Sequence, residues 1–186
     1  MFDKLRKWDH DTFIYLNSVG IEEFDAFWSI VTNITTWIPL YLLIIWLFFF
    51  RLPRHQAINR ILALIMLVVF VTLITLLVKE WVARIRPNNI GQFSPFIRVL
   101  KSPTDYSFFS GHASSSFAVA TLTYLFLKGV YKWVWILFLW AIIFSLSRIF
   151  VGVHYPIDII AGVLVGIASG WFFYFLFVYY GKLHFS

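Results

Sequence analysis

The residues best suited to chemistry lie in three short polar stretches of a very apolar chain. The last stretch, SRIFVGVHYPIDIIAG, places Arg148, His154 and Asp158 between two hydrophobic runs. Pro156 is favourable as the first residue of a helix, so Asp158 is expected in its first turn, from where it can reach back to His154. A carboxylate that holds one nitrogen of an imidazole makes the other nitrogen a better nucleophile. The structural alternative is a helix cap at Asp158 and an interfacial position for His154.

The first stretch, KEWVARIRPN, carries cations that suit a phosphate group. Lys79 and Arg86 are seven residues apart, so both would project from one face of a helix that continued so far. Pro87 disfavours helix at Arg86 and predicts that the helix ends there. Arginine offers a fork of donors and lysine a point charge, and both bind phosphate oxygens. Side chains that only snorkel to lipid head groups are the structural alternative.

The middle stretch, YSFFSGHASSSF, brings Ser110, Gly111 and His112 to the start of a helix. A glycine permits close approach of the backbone, and the free N–H groups and positive dipole end of the helix suit an anion. Ser110 would add a hydroxyl donor, and His112 would transfer a proton near neutral pH. The structural alternative is a serine N-cap followed by an interfacial histidine.

The composition predicts that these stretches belong to an integral membrane protein. Of the 186 residues, 61% are hydrophobic and only 13% are charged, whereas soluble domains carry about 25% charged residues. The net charge of +6 comes from short basic clusters between apolar runs, so membrane topology explains it better than a nucleic-acid partner does. The absence of cysteine excludes disulfides and thiolate metal sites. We expect a single membrane-embedded domain over residues 1–186.

Five apolar runs are long enough to predict transmembrane helices, since a span needs about 20 residues. The fold class is therefore an all-α bundle of five transmembrane helices, or six if the N-terminal helix also spans. The predicted spans are Phe27–Phe50, Ile61–Lys79, His112–Leu127, Trp133–Phe150 and Pro156–Tyr180. An amphipathic N-terminal helix at the membrane interface is predicted from the helical spacing of Phe2, Leu5, Trp8, Phe13 and Leu16.

Charge orients the predicted spans. Alternate loops carry the basic residues Arg51, Arg54, Arg60, Lys128, Lys132 and Lys182. The positive-inside rule assigns those loops to the cytoplasm. Residues 1–27 hold three basic and six acidic residues, a net charge of −3, which suits an outward N-terminus. The loops 80–111 and 149–155, which hold the three stretches, would then face the periplasm or the exterior from the cell membrane.

Taken together, the three stretches resemble the signature of the type 2 phosphatidic acid phosphatase family of membrane lipid phosphatases. Vanadium haloperoxidases and acid phosphatases share this signature. All three parts match in order and internal spacing, and the match runs from the second predicted span to the fifth. One departure is Phe109, which stands where the family usually has proline. Because that proline shapes a turn, the departure concerns loop geometry.

The resemblance implies a role for each matching residue. His154 would attack phosphorus and become a phosphohistidine, while Asp158 orients it. His112 would protonate the leaving oxygen and then activate the hydrolytic water. The groups expected around the nonbridging oxygens are Lys79, Arg86, Arg148, Ser110 and the amide of Gly111. Because three cations neutralise the phosphate, no metal or other cofactor is expected.

Two features lie outside the signature. Arg84, Arg98 and Lys101 are predicted to bind a second phosphate or a lipid head group, with snorkelling as the alternative. Glycines recur every fourth residue in the last span, which predicts a central helix of the bundle or a dimer contact; they are Gly162, Gly166 and Gly170. The sequence leaves monomer and homodimer open.

The motifs recognise a phosphate and not its lipid, so the substrate is predicted by analogy alone. Undecaprenyl diphosphate, recycled for cell-wall synthesis, is the preferred prediction. Phosphatidylglycerol phosphate, phosphatidate and the phosphates of lipid A are the alternatives. A protein of another class, which binds or transports lipid phosphates without turnover, is the second hypothesis. A haloperoxidase would use the same pocket for vanadate, but those enzymes are soluble.

Overall fold

The structure, a computed structural model, describes residues 2–19, 22–93 and 95–184, with side chains for residues 3–19, 22–93 and 95–179. The side chains of Phe2 and Lys182 lie outside this set. Every regular element in the described residues is helical, which confirms the predicted all-α class. The α-helices are α1 (Phe2–Val19), α2 (Asp25–Val31), α3 (Ile38–Arg51), α4 (Arg54–Val82), α5 (Gly111–Leu127), α6 (Leu137–Phe150) and α7 (Pro156–His184).

Four segments in the described part of the chain are long and apolar enough to cross a membrane: Ile34–Arg51, Arg54–Phe93, Lys132–Phe150 and Pro156–Tyr179. The remaining predicted span, His112–Leu127, is present as α5. This helix has 17 residues and is about 25 Å long, slightly shorter than a hydrocarbon core of about 30 Å. Because α4, α6 and α7 pack around it, most of its side chains are buried.

The prediction of one continuous span over Phe27–Phe50 is wrong. The helix is interrupted at Thr32 and Asn33, and a 3-10 turn over Ile34–Trp37 leads into α3. The side chain of Asn33 accepts the N–H of Thr35 over 3.2 Å. A side-chain acceptor of this kind competes with the helical backbone for N–H donors, which is the physical reason for the interruption.

Helix α4 extends beyond the predicted span Ile61–Lys79 at both ends. Most of the predicted basic loop forms its first turns, and Pro53 occupies the N-cap position. The predicted helix end at Arg86 is also wrong, because Ala83 adopts a left-handed conformation with φ of 50° and ends α4 earlier. Arg86 instead has the extended backbone that is usual before proline. It therefore approaches the site from a loop.

The glycines of α7 allow close packing on α5. A Cβ at Gly162 would lie 2.7 Å from the carbonyl oxygen of Ser110, and one at Gly166 would lie 2.4 Å from that of Ser114. The glycine face is thus covered within the chain by α5, as the close-packing interpretation predicts, although the helix at the centre of the bundle is α5 and not α7. The N–H of Ser110 also donates to the carbonyl of Asp158 over 3.0 Å. Two of the predicted polar stretches are joined by this contact.

The predicted N-terminal helix is present as α1, but only part of its predicted apolar face is buried. Leu5 and Trp8 are about half exposed, whereas Asp9, Phe13 and Asn17 are buried. These three residues follow one another at four-residue spacing and share one face of the helix. With that face, α1 packs against α6 and α7.

Candidate active site

The predicted site residues meet at one end of the bundle because several helices begin or end there. Lys79 lies in the last turn of α4 and Arg148 in the last turn of α6. His112 lies in the first turn of α5, and Asp158 lies in the first turn of α7. This arrangement places cationic side chains next to two histidines.

His154 is fully buried, and its two ring nitrogens have different neighbours. Nε2 lies 3.0 Å from Nη1 of Arg86, and Nδ1 lies 3.4 Å from Oδ2 of Asp158. Because a guanidinium only donates, Nε2 must accept, which assigns the proton to Nδ1. Burial, with the positive charges of Arg86 and Arg148 adding to it, lowers the pKa of His154 well below 6.5. The imidazole is therefore neutral at pH 7 with its lone pair on Nε2.

Asp158 is held by several donors and has no exposed surface. Besides contacting His154, its Oδ2 accepts the N–H of Tyr155 over 3.0 Å. Its Oδ1 accepts Nη1 of Arg84 over 2.6 Å. The predicted contact between Asp158 and His154 is thus present, and Arg84 is an additional partner of the carboxylate.

Asp105 joins two of the predicted phosphate-binding cations. Its carboxylate contacts Nζ of Lys79 and lies 2.9 Å from Nη2 of Arg86, whose Nε donates to the Asp105 carbonyl over 2.7 Å. Burial opposes ionisation of Asp105, but the hydrogen bond from Lys79 and the charge of Arg86 outweigh it and lower its pKa. Sequence reasoning did not assign this role; the available signal was an acidic residue in an otherwise basic loop.

On the other side of the site, Thr32 forms hydrogen bonds with two predicted site residues, Arg148 and His112. Its hydroxyl accepts Nη1 of Arg148, and its carbonyl lies 3.1 Å from Nε2 of His112. Since a carbonyl only accepts, Nε2 of His112 carries a proton. Nε of Arg148 is buried without a hydrogen-bond partner among the described residues. Sequence reasoning missed Thr32 because a continuous helix would have bonded its carbonyl internally.

The serine and glycine of the middle stretch have mainly structural contacts. Ser110 is fully buried, and its Oγ accepts the N–H of Ala113 over 3.4 Å as the N-cap of α5. A Cβ at Gly111 would make only an ordinary contact of 3.4 Å with Thr75. Phe109, in the position of the family's proline, is buried and follows a cis peptide bond.

The structure does not gather the three basic residues predicted to form a second phosphate site. Arg84 is bonded to two buried carboxylates. Arg98 forms an ion pair with Asp25. Lys101 is exposed. Their positions give no support to a shared head-group site.

An apolar cavity begins at the polar cluster and continues between the helices. It has a volume of about 480 Å³ and is bounded at its polar end by Lys79 and His112. A second cavity of about 270 Å³ shares Tyr41, Val68 and Val119 with the first. Together they form a path lined by α3, α4 and α5. In the described part of the chain, no three His, Cys, Asp or Glu side chains are grouped closely enough to hold a metal ion.

Comparison with known proteins gives a match over most of the chain. The sequence model of the PAP2 superfamily matches residues 58–182. A lipid A 4'-phosphatase of Bacteroides thetaiotaomicron is 28% identical over 183 residues, which is 95% of this chain and 80% of that protein. An undecaprenyl-diphosphatase of Sulfolobus acidocaldarius is 35% identical over 131 residues, 70% of this chain and 58% of that protein.

The fold is also found in a solved structure. The crystal structure of a transmembrane PAP2-type phosphatidylglycerolphosphate phosphatase from Bacillus subtilis superposes with a TM-score of 0.76. The superposition covers 93% of this chain and 86% of the other, at 20% sequence identity. This superposition shows a shared fold, and the match of the PAP2 sequence model to residues 58–182 confirms the family resemblance read from the three stretches.

Proposed function

The chain belongs to the PAP2 superfamily, a family of membrane phosphatases that act on lipid phosphates, and from this premise we propose that it hydrolyses an isoprenoid diphosphate through a phosphohistidine. The observation that carries the proposal is the environment of His154. A nucleophile that attacks phosphorus requires a free lone pair, a group that orients the ring and a cation for the phosphate. His154 has an unprotonated Nε2, a carboxylate behind Nδ1 and the cation Arg86 at 3.0 Å.

In the proposed first step, Nε2 of His154 attacks the terminal phosphorus and the bond from phosphorus to the bridging oxygen breaks. His112, protonated on both nitrogens once the phosphate anion is bound, gives its Nε2 proton to that oxygen and becomes neutral, and the lipid monophosphate leaves. Asp158 stabilises the positive charge of the phosphohistidine by holding the Nδ1 proton. Lys79, Arg86 and Arg148 neutralise the nonbridging oxygens.

In the second step, water attacks the phosphorus and the phosphorus–nitrogen bond breaks. His112, now neutral with its lone pair on Nε2, accepts the proton of the water. Inorganic phosphate leaves and His154 returns to its neutral form. During binding, the phosphate oxygens replace the oxygens of Asp105 and Thr32 as acceptors for the cations and for His112.

The apolar lining of the path supports a long hydrocarbon tail, such as that of an isoprenoid. The path leaves the polar cluster along α4 and α5 and is lined by apolar side chains such as Val68 and Val119. The Sulfolobus relative is named for undecaprenyl diphosphate. We propose the same substrate for this chain. We also propose that the site faces the outer side of the cell membrane, because basic residues lie at the opposite end of the helices, where the positive-inside rule places the cytoplasm; they are Arg51, Arg54, Lys128 and Lys132.

A second candidate substrate is a phosphate group of lipid A. It is favoured by the Bacteroides relative, which is named for that activity and aligns with 95% of this chain. Both candidates use the same phosphate chemistry and differ in their lipid.

Phosphate release by the detergent-purified protein in EDTA tests the proposal. The substrates are undecaprenyl diphosphate, lipid A, phosphatidylglycerol phosphate and phosphatidate. We expect release to be fastest from undecaprenyl diphosphate and to fall at least about 1,000-fold in His154→Ala, since the nucleophile is lost. His55→Ala, which changes an exposed histidine at the other end of the bundle, is the matched control.

The ranking of rates decides between the two candidate lipids. If folded wild-type protein releases no phosphate from any of them, or if His154→Ala retains the activity, the phosphatase proposal is wrong. A protein that binds lipid phosphate without turnover would then be the better hypothesis.

A further inference from the structure

Arg84 lies at the centre of a buried ion-pair network that the proposed chemical steps do not use. Its Nη1 donates to Oδ1 of Asp158 over 2.6 Å, and its Nη2 donates to Oδ2 of Asp9 over 2.5 Å. Neither carboxylate has exposed surface. A planar guanidinium that bridges two carboxylates fixes the orientation of both.

The second carboxylate of this network comes from the N-terminal helix. Oδ1 of Asp9 accepts the N–H of Ile157 over 2.9 Å. That N–H lies in the first turn of α7, where backbone donors have no partner within the helix. Ile157 precedes Asp158 in the chain, so α1 holds this segment both through the backbone and, by way of Arg84, through the side chain of Asp158.

Further contacts fix the position of Arg84 itself. Its guanidinium carbon lies 4.0 Å from the ring centre of Tyr155, the residue next to His154. The same ring stacks on His10 of α1 at a centroid distance of 5.0 Å. The carbonyl of Arg84 accepts the N–H of Ser107 over 2.8 Å. Arg84 is thus held between α1, the loop before α5 and the turn that carries His154.

The charges of the network contribute to the field on the Nδ1 side of His154. Arg84 faces two carboxylates, so the network itself carries one net negative charge on the Nδ1 side of the imidazole, while Arg86 lies at Nε2. This charge favours the cationic phosphohistidine. Without the charge of Asp9, Arg84 would compensate Asp158 and weaken that effect.

We infer that Asp9 and Arg84 are positioning residues. They set the orientation of Asp158 and the net charge beside His154, so that α1 helps to orient His154 for its attack on phosphorus. The inference rests on the proposed function of His154 as the nucleophile.

The test compares Asp9→Asn and Arg84→Lys with the control Asp11→Asn, which removes an exposed carboxylate from the same helix. With farnesyl diphosphate as substrate, we expect kcat to fall about 10- to 100-fold in the first two variants, the usual cost of misplacing a reacting group. KM should change less than about threefold, because the phosphate-binding cations are untouched. Asp11→Asn should behave as wild type.

The double variant Asp9→Asn/Arg84→Lys should be about as slow as the slower single variant, since both residues act through one carboxylate. The nitrogen NMR signals of His154 provide a readout that does not require turnover. We expect the Nδ1 signal to shift in Asp9→Asn and to keep its wild-type position in Asp11→Asn. A residue that serves stability alone would lower the unfolding temperature without this shift.

Wild-type kcat and an unshifted Nδ1 signal in Asp9→Asn would overturn the inference, as would an equal loss of kcat in Asp11→Asn. If Asp9→Asn does not fold, Arg84→Lys is judged by the same measurements. If wild type hydrolyses no lipid phosphate, the proposed function fails, and the Nδ1 signal alone decides whether the network positions His154.

Discussion

The surroundings of His154 predict the acid limb of the pH profile. Burial, Arg86 and Arg148 lower the pKa of His154 below its usual value of 6.5. A nucleophile must be neutral, and a group with a lowered pKa loses its neutral form only when the pH falls through that lowered value. We therefore expect kcat/KM, which reports the free enzyme, to persist at pH 6.5 and to decline only at lower pH.

Because the substrate phosphate also titrates, with a second pKa of about 6, the imidazole should be measured directly. Nitrogen NMR of histidine-labelled protein, with His154→Gln to assign the signals, follows His154 alone. A midpoint at or above pH 6.5 would contradict the prediction.

Asp105 is predicted to compete with phosphate for Lys79 and Arg86. Its carboxylate contacts both cations, so Asp105→Asn should release them for an external anion. The carboxylate is 48% exposed, and solvent screening therefore limits the gain to about 1 kcal/mol, or roughly a fivefold lower Ki for inorganic phosphate. Competitive inhibition measures this Ki. The control is Glu80→Gln, an exposed carboxylate on α4.

An unchanged or higher Ki in Asp105→Asn would mean that Asp105 orients the cations for the ligand and does not compete with it. The two roles have opposite effects on phosphate affinity, so the sign of the change distinguishes them.

Single residues of the site were predictable from sequence where motif spacing fixed them. His112, His154 and Asp158 were found because each is tied to the start of a helix. Thr32 and Asp9 were not found, since their contacts bridge positions far apart in the chain, as from Thr32 to Arg148 and from Asp9 to Arg84. No local pattern encodes a contact of that kind.

At the scale of helices, the glycine face of α7 predicts a strong effect of one added methyl group. In Gly166→Ala the new Cβ would lie 2.4 Å from the backbone oxygen of Ser114, which cannot rotate away. The two helices must separate, at a cost of about 1–3 kcal/mol in the free energy of unfolding. Since α5 carries His112 and α7 carries Asp158, kcat should fall as well.

Thermal unfolding in detergent and phosphate release check this prediction. Gly129→Ala is the matched control, because a Cβ there would meet no atom within 4 Å. Equal unfolding temperatures for Gly166→Ala and wild type would show that close approach of α5 and α7 is not required.

The helices themselves were predictable to different degrees. Helix α7 begins at Pro156 as expected, because proline is favoured in the first helical turn. The interruption at Thr32 and Asn33 was missed because hydropathy averaged over a whole span does not detect a side-chain cap, although Thr32, Asn33, Thr35 and Thr36 form a polar break in the run. For α1, the apolar pattern predicted a helix but not its contact face, since Asp9 and Asn17 become buried through specific hydrogen bonds.

At the scale of the whole molecule, the bundle separates two tasks. In the proposed function, the polar end would bind and hydrolyse the phosphate, and the apolar path along α4 and α5 leads away from that end. Because the proposed binding groups lie where helices begin and end, a lipid tail would remain between helices while its head group met His154. This division explains how one family can accept different lipids with the same phosphate site.

Val119 lines both cavities, so a larger side chain there should lower the activity toward long-tailed substrates more than toward short ones. Val119 follows His112 by seven residues, about 10 Å along α5, a depth that one isoprene unit does not reach. Val119→Phe should therefore lower kcat/KM for undecaprenyl diphosphate about tenfold, the effect of lost apolar contacts worth about 1.4 kcal/mol, and leave isopentenyl diphosphate unaffected. Val130→Phe, at an exposed valine, is the control. If kcat/KM fell equally for both substrates, the substitution would have disturbed the phosphate site. If kcat/KM fell for neither, the lipid tail would lie outside this path.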